Sequence, residues 1–272
     1  MDDNLVFRVA VYAGFAIAFV IFWWLSHKDQ KVPYGRHHVA AAAATMASVP
    51  FIHVMLPTRL AWALMESPPV LLTPLLFSFG RYSSLAAPRV LMSLFFAHYA
   101  HRSLFYPLRM RPSSKRNLPL PVFVSAVIFN VYNTYIQVRS VSHYTQYPSS
   151  WLLSFQFILG AVLFISGMAI NITADYALIS LRKSDTPRVS ESSRTYKIPH
   201  GGLFELISCP NYFGEVLEWL GWAVAAGSLS SVVFFLLTVS NLVPRAVSHH
   251  QWYVQNFREY PRSRKMLIPY LF

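Results

Sequence analysis

Glu66 lies in the apolar run Trp62-Ala63-Leu64-Met65-Glu66-Ser67-Pro68-Pro69, and of the 11 acids it is the one in the middle of such a run. An ionisable group in the hydrocarbon layer costs roughly 2.5 to 3.5 kcal/mol, so it needs a partner, water or a task. A neutral carboxylic acid in that setting can donate a hydrogen bond to a substrate oxygen. The plainer reading is a polar helix-packing contact, helped by a helix break at Pro68. The segment His98-Tyr99-Ala100-His101-Arg102 gathers His98, His101 and Arg102 on one helical face, with Tyr99 in step with Arg102 and Ser103. A phenol and a buried acid form a natural pair for polarising a carbonyl, although span ends also carry aromatic and basic anchors as a matter of course.

Two Asn/acid pairs recur at helical spacing. Asn171 and Asp175 are four apart, and so are Asn211 and Glu215. Such pairs satisfy the mixed donors and acceptors of an amide, sugar hydroxyls or ring nitrogens, and they also serve as interhelical clamps. Further on, Arg245, His249 and Tyr253 fall on one stripe, and Arg182, Tyr196 and Lys197 could join them around a phosphate. A basic flank explains any one of these residues; the set together points to an anionic ligand on the inner side of a membrane.

Other chemistries find less support. His98/His101, His249/His250 and Glu215/Glu218 look like fragments of a di-iron histidine-box site, but only 10 His occur and neither HxxHH nor HxxxH appears. There is no GxSxG, GxGxxG or GxxxxGK[ST]. The single Cys209 excludes an intrachain disulfide, a CxxC pair and a cysteine-based zinc site. No metal is expected.

The elements that must position these residues are membrane spans. A chain of 272 residues that is 54% hydrophobic, 16% aromatic and only 12% charged does not suit a soluble domain. Windows of about 20 residues pick out seven spans: Leu5 to Leu25, Leu60 to Phe79, Leu85 to Tyr106, Leu118 to Val138, Trp151 to Ile170, Gly214 to Ala226 and Ser231 to Val247. The first lacks a basic n-region and reads as a span, not a cleaved signal peptide. With the N-terminus outside, every Lys and Arg of the 23 except Arg8, Arg81, Arg89 and Arg139 lies on the inner side, as the positive-inside rule requires. An eighth span over the alanine-rich stretch Val39 to Leu56 would turn three dense basic clusters outward, so that stretch reads as a buried hairpin or interfacial helix. The basic residues fall between apolar runs instead of forming a stripe, which argues against nucleic acid as a partner of this +12 chain. Asn171 to Asn211, with Pro187, Pro199 and Gly201-Gly202, reads as an inner-side loop with substructure. The expected architecture is a single all-α, seven-span membrane domain with one substantial cytosolic loop.

The run Ile198-Pro199-His200-Gly201-Gly202-Leu203-Phe204, then Asn211-Tyr212-Phe213-Gly214-Glu215 and Glu218-Trp219, resembles the steroid 5-alpha-reductase family, as does the ending Tyr260-Pro261-Arg262-Ser263-Arg264-Lys265-Met266-Leu267-Ile268-Pro269-Tyr270. The resemblance runs from Tyr34-Gly35-Arg36-His37 to Phe272, is weakest between about His38 and Thr58, and suits a bacterial or divergent member. Isoprenylcysteine methyltransferases share a looser version of the last third. The resemblance implies a membrane enzyme, in a bacterial inner membrane or the endoplasmic reticulum, that uses NADPH to reduce the 4,5 double bond of a 3-oxo-4-ene steroid. It implies a monomer among membrane lipids. Glu66 and Tyr99 match the pair on the steroid 3-oxo group, and Trp62 and Met65 match the substrate pocket. Tyr34, His98, Arg111, Asn171, Asp175, Arg182, Tyr196, Lys197, Asn211, Glu215, Arg245, His249 and Tyr253 match positions around NADPH. Met65 stands where some members have glutamine and Asn241 where they have an aromatic, which bears on steroid preference. Reduction of another conjugated lipid (an enoyl thioester or polyprenal), methyl transfer, and proton-coupled transport through Glu66 stay open as alternatives.

Overall fold

The computed structural model describes residues 2–27, 54–110, 117–183 and 197–272. They are mostly helical: α1 Asp3–His27, α2 Thr58–Met65, α3 Ser67–Ser78, α4 Ala86–Ala100, α5 Tyr106–Arg109, α6 Leu120–Arg139, α7 Phe155–Lys183, α8 Pro210–Ala226 and α9 Leu229–Asn256. A short antiparallel pair, β1 Met55–Pro57 with β2 Asn117–Pro119, aligns Leu56 with Leu118 and brings the start of α2 beside the start of α6.

Among the described residues four helical stretches are long and apolar enough to cross a membrane: Asp3–Ser26, Thr58–Ser78, Phe155–Leu181 and Leu229–Asn256. The other three expected spans exist as helices. Before its continuation α4 has 15 residues, α8 has 17, and α6 carries Asn130, Asn133 and Gln137. Large apolar side chains face outward, Phe19 at 71% and Leu71 at 68% exposure among them. That is the surface a lipid-facing helix requires.

Two expectations are corrected. The helix interruption expected at Pro68 falls at Glu66, in a turn between α2 and α3. Pro68 and Pro69 have no N–H to donate to the carbonyls four residues back, Leu64 and Met65. Those carbonyls are met from elsewhere, Leu64 by the Ser67 hydroxyl at 2.9 Å and Met65 by Asn130 Nδ2 at 2.6 Å. The second correction concerns the loop expected from Asn171. Helix α7 runs on to Lys183, because Asn171 to Lys183 holds neither glycine nor proline and keeps apolar residues at helical spacing. Asn171, Asp175 and Arg182 are therefore helix residues, and α8 likewise starts at Pro210, four residues before the expected Gly214.

Helices α7 and α8 touch backbone to backbone along Gly160, Gly167, Gly214 and Gly221; a Cβ on Gly167 would meet the Glu218 backbone nitrogen, and one on Gly214 the Asn171 nitrogen. Small residues permit this approach within a bilayer, where packing itself drives association. Gly167→Ala is accordingly expected to lower stability by about 1–3 kcal/mol, the usual cost of overpacking, as a drop in thermal midpoint in detergent. The α8–α9 turn uses Gly227 at φ 56° and a capping box in which Ser228 and Ser231 each accept from the other's backbone N–H. Leu91, Phe95, Tyr99, Phe164, Trp219, Trp222 and Phe234 form the main core, so α4, α7, α8 and α9 meet beside Tyr99.

Candidate active site

The interruption at Glu66 places a half-buried carboxylate against the polar face of α6. Asn130 Nδ2 donates to the Met65 carbonyl and lies 3.3 Å from Glu66 Oε2. Three residues on, Asn133 Nδ2 donates to Tyr99 Oη at 3.3 Å, with Tyr99 only 3% exposed in the core. Positions three apart share a helix face, so α6 presents the acid and the phenol side by side. Trp62, one turn before Glu66, stacks obliquely on Tyr106 at 5.2 Å. Met65 packs its side chain with Ala61 and Leu118.

After Ala100 the helix widens into a π-helical turn, His101–Phe105. The Arg102 guanidinium lies over the rings of Trp62 (5.1 Å) and Tyr106 (4.9 Å), and its Nη1 donates to Asp175 Oδ2 at 3.0 Å. Arg102 thereby joins the Glu66 side of the site to the Asn/acid pairs. Those pairs come together through the glycine seam: Asn211 Nδ2 donates to Asp175 Oδ1 at 3.0 Å, and Asn171 Nδ2 donates to the Asn211 carbonyl at 2.9 Å and to Glu215 Oε2 at 3.4 Å. Beside this mesh His98 Nδ1 and Glu218 Oε1 are 2.7 Å apart, both buried. His101 pairs with the Tyr176 hydroxyl at 2.7 Å.

Glu218 corrects the expectation that Glu66 is the one acid in the middle of a span. Because α8 starts at Pro210, Glu218 sits at its midpoint and is fully buried, whereas Glu66 is half-buried. The histidines of the fragmentary boxes go to separate partners, His98 to Glu218, His249 to the Tyr212 hydroxyl at 3.2 Å and His250 to Ser208 at 2.6 Å. Among the described residues, no group of three or more His, Cys, Asp or Glu could hold a metal ion.

On α9, His249 reaches Tyr212 beside the Asn/acid mesh, and Tyr253 is buried and stacked on Tyr260 at 5.1 Å. Arg245 is half-buried, and its Nε, itself buried, has no hydrogen-bond partner among the described residues. Arg182 falls in the last turns of α7 and Lys197 at the exposed start of the following described segment. Tyr34, Arg111 and Tyr196 lie outside the described residues. Arg102 is legible in the sequence as part of the polar face with His98 and His101 but without its Asp175 partner, and Asn130, Asn133 and Gln137 are site residues that the sequence analysis does not name. The signal was the spacing of three and four between Asn130, Asn133 and Gln137 within one apolar span.

The chain end is clasped to the segment before α8. Arg264, 2% exposed, donates to the Pro199 carbonyl at 2.8 Å and to Glu205 Oε2 at 3.0 Å, while Ile207 and Lys265 form a parallel bridge. The Gly201 N–H, at 2.6 Å from Glu205 Oε1, and then Arg264 hold the Glu205 carboxyl below its ordinary range. A lowered carboxyl stabilises the clasp above its unfolded-state value, and that contribution is lost as pH falls through the folded value. The tail is therefore expected to become more open to protease as the solution is acidified below the ordinary carboxylate range. Glu205→Gln should flatten that dependence.

The family profile for 3-oxo-5-alpha-steroid 4-dehydrogenase matches residues 116–272. The chain is 41% identical to steroid 5-alpha-reductase DET2 of Solanum lycopersicum over 273 residues, covering 100% of this chain and 98% of that protein. It is 44% identical to steroid 5-alpha-reductase DET2 of Arabidopsis thaliana over 90% of this chain and 89% of the relative. With 3-oxo-5-alpha-steroid 4-dehydrogenase 1 of Homo sapiens it shares 39% identity over 100% of this chain and 97% of the relative.

Proposed function

Since the chain belongs to the 3-oxo-5-alpha-steroid 4-dehydrogenase family, whose members are oxidoreductases acting on a carbon–carbon bond, we propose that it reduces the 4,5 double bond of 3-oxo-4-ene steroids with NADPH. The observation that carries this reading is the pairing of Glu66 and Tyr99 by Asn130 and Asn133 from one face of α6. An enone accepts hydride at its beta carbon, and negative charge develops on the 3-oxygen. Two preorganised donors in a water-poor site stabilise that oxygen more in the transition state than in the ground state. Tyr99 supplies a phenol O–H and Glu66 a carboxylic O–H.

The buried Nε of Arg245 and the Asn171/Asp175/Asn211/Glu215 mesh fit a ligand with phosphates at one end and an amide-bearing ring at the other. Arg245 and His249, with Arg182, Lys197, Arg111 and Tyr196, would take the phosphates. Asn171, Asp175, Asn211, Glu215 and His98 would hold the ring and ribose, with Tyr34 and Tyr253 alongside. When bound, NADPH supplies the hydride. Arg102, fixed between Asp175 and the Trp62 and Tyr106 rings, keeps the two halves of the site in register. Trp62 and Met65 line the steroid side.

In this reading the chain crosses the membrane seven times, through α1, α2 with α3, α4 with its π turn and α5, α6, α7, α8 and α9, of which four stretches are long and apolar enough by themselves. The N-terminus is outside and the basic segments are on the cytosolic side, so an apolar steroid partitions in from lipid while a charged cofactor enters from the cytosol. Titration of detergent-purified protein with NADPH tests the cofactor assignment. Arg245→Ala is expected to weaken binding about tenfold, as loss of a charge-assisted hydrogen bond does, and Glu66→Gln to leave it intact. Equal loss in both would overturn the division of roles.

A further inference from the structure

The donors that reach Glu66 and Tyr99 come from amides whose orientation is fixed by groups that can hydrogen-bond in one sense only. The Trp222 indole N–H can only donate, and it donates to Gln137 Oε1 at 2.9 Å. The Ser230 carbonyl can only accept, and it takes Gln137 Nε2 at 2.8 Å. These two neighbours settle which end of the Gln137 amide is which. Gln137 Nε2 then donates to Asn133 Oδ1 at 3.2 Å, which leaves Asn133 Nδ2 turned to Tyr99 Oη at 3.3 Å. Trp222, Gln137 and Asn133 are all fully buried, so water does not scramble the order. Because the Tyr99 oxygen accepts from Asn133, the phenol hydrogen must point elsewhere. One turn earlier the same logic holds. The Met65 carbonyl accepts from Asn130 Nδ2 and so fixes that amide, whose N–H faces Glu66 Oε2 and leaves the proton of a neutral Glu66 to Oε1.

We infer that Asn133, held by Gln137 and Trp222, is a positioning residue that turns the Tyr99 hydroxyl proton away from α6 and toward the ligand oxygen, with Asn130 doing the same for Glu66. This rests on the proposed reduction of a 3-oxo-4-ene substrate. A donated hydrogen bond also polarises the phenol and makes its own O–H a better donor, since chained hydrogen bonds strengthen one another. Without Asn133 the hydroxyl can rotate into unproductive directions.

The test is a double-mutant cycle between Asn133 and Tyr99, with product counted by mass spectrometry so that slow variants stay measurable. Asn133→Leu, which keeps the side-chain volume, is expected to lower kcat about tenfold, a share of what losing a whole oxyanion donor costs, with KM for the enone and NADPH affinity unchanged. Gln137→Met, which leaves Asn133 in place but releases its amide, should lower kcat in the same direction by a smaller factor. In a Tyr99→Phe background Asn133→Leu should have no further effect, because there is no hydroxyl to direct. Loss of packing would lower cofactor affinity too and would add to Tyr99→Phe. Wild-type kcat in Asn133→Leu, or full additivity in the double variant, would overturn the inference. The underlying reading fails separately: if Tyr99→Phe itself keeps wild-type turnover, the role of Tyr99 is wrong, whereas an inactive Tyr99→Phe beside a fully active Asn133→Leu removes the relay alone.

Discussion

Replacing Glu66 by glutamine is expected to lower turnover of a 3-oxo-4-ene steroid by about 100-fold or more, the usual cost of losing one oxyanion donor, with NADPH binding retained. Glutamine matches the shape and can still face Asn130, which lies 3.3 Å from the Glu66 carboxylate. What it lacks is acidity. An amide N–H shares its proton with a developing enolate far less readily than a carboxylic O–H, so the loss falls on the transition state and appears in kcat. Tyr99→Phe should behave alike, and the pair together should lose less than the product of the single losses, since both act on one oxygen. Steady-state kinetics beside equilibrium NADPH titration separates this from a folding defect. Loss of cofactor binding in step with turnover would contradict the assignment.

The second large effect is expected at Arg102. Arg102→Met keeps the length of the side chain and removes the charge, taking from the buried Asp175 carboxylate the cation it faces at 3.0 Å. Breaking a buried pair from one side costs about 3–5 kcal/mol because the other charge is left uncompensated. The thermal midpoint in detergent and NADPH affinity should both fall sharply. Asp175→Asn in the Arg102→Met background should recover part of the stability by removing the buried charge that Arg102 had faced. Arg102→Lys should not restore wild-type behaviour, because an ammonium cannot both reach Asp175 and stack between Trp62 and Tyr106, as the planar guanidinium does. An unchanged midpoint in Arg102→Met would show that the pair has no structural role.

The candidate site was legible in the sequence where polar residues interrupt apolar runs. Glu66, Tyr99 and the two Asn/acid pairs stand out because each costs insertion energy, and the described structure brings those pairs into one hydrogen-bonded mesh. What position alone could not supply was the partner. Asn130 and Asn133 resemble any polar pair on a packed helix until the carbonyls freed by Pro68 and Pro69 show why α6 must offer a donor at Met65. Glu218 was obscured for a different reason. Counting an apolar window from Gly214 puts it near a span end, whereas Pro210, well suited to a first helical turn, starts α8 earlier and carries Glu218 to the middle. The extension of α7 to Lys183 likewise follows from the absence of a breaker, a weaker signal than the drop in hydrophobicity after Ile170. The glycine seam became meaningful only in pairs, since Gly160 and Gly167 acquire their purpose from Gly221 and Gly214 across the interface.

The path of the hydrogen itself decides whether the protein is an enone reductase. Detergent-purified protein would be incubated with progesterone and NADPH deuterated at C4 of the dihydronicotinamide, and the product analysed by mass spectrometry and NMR. The proposed function predicts a dihydro product carrying deuterium at C5 of the steroid, with little product from Glu66→Gln. A protein that binds NADPH yet leaves the enone intact, or yields a reduced steroid with no deuterium at C5, would contradict it.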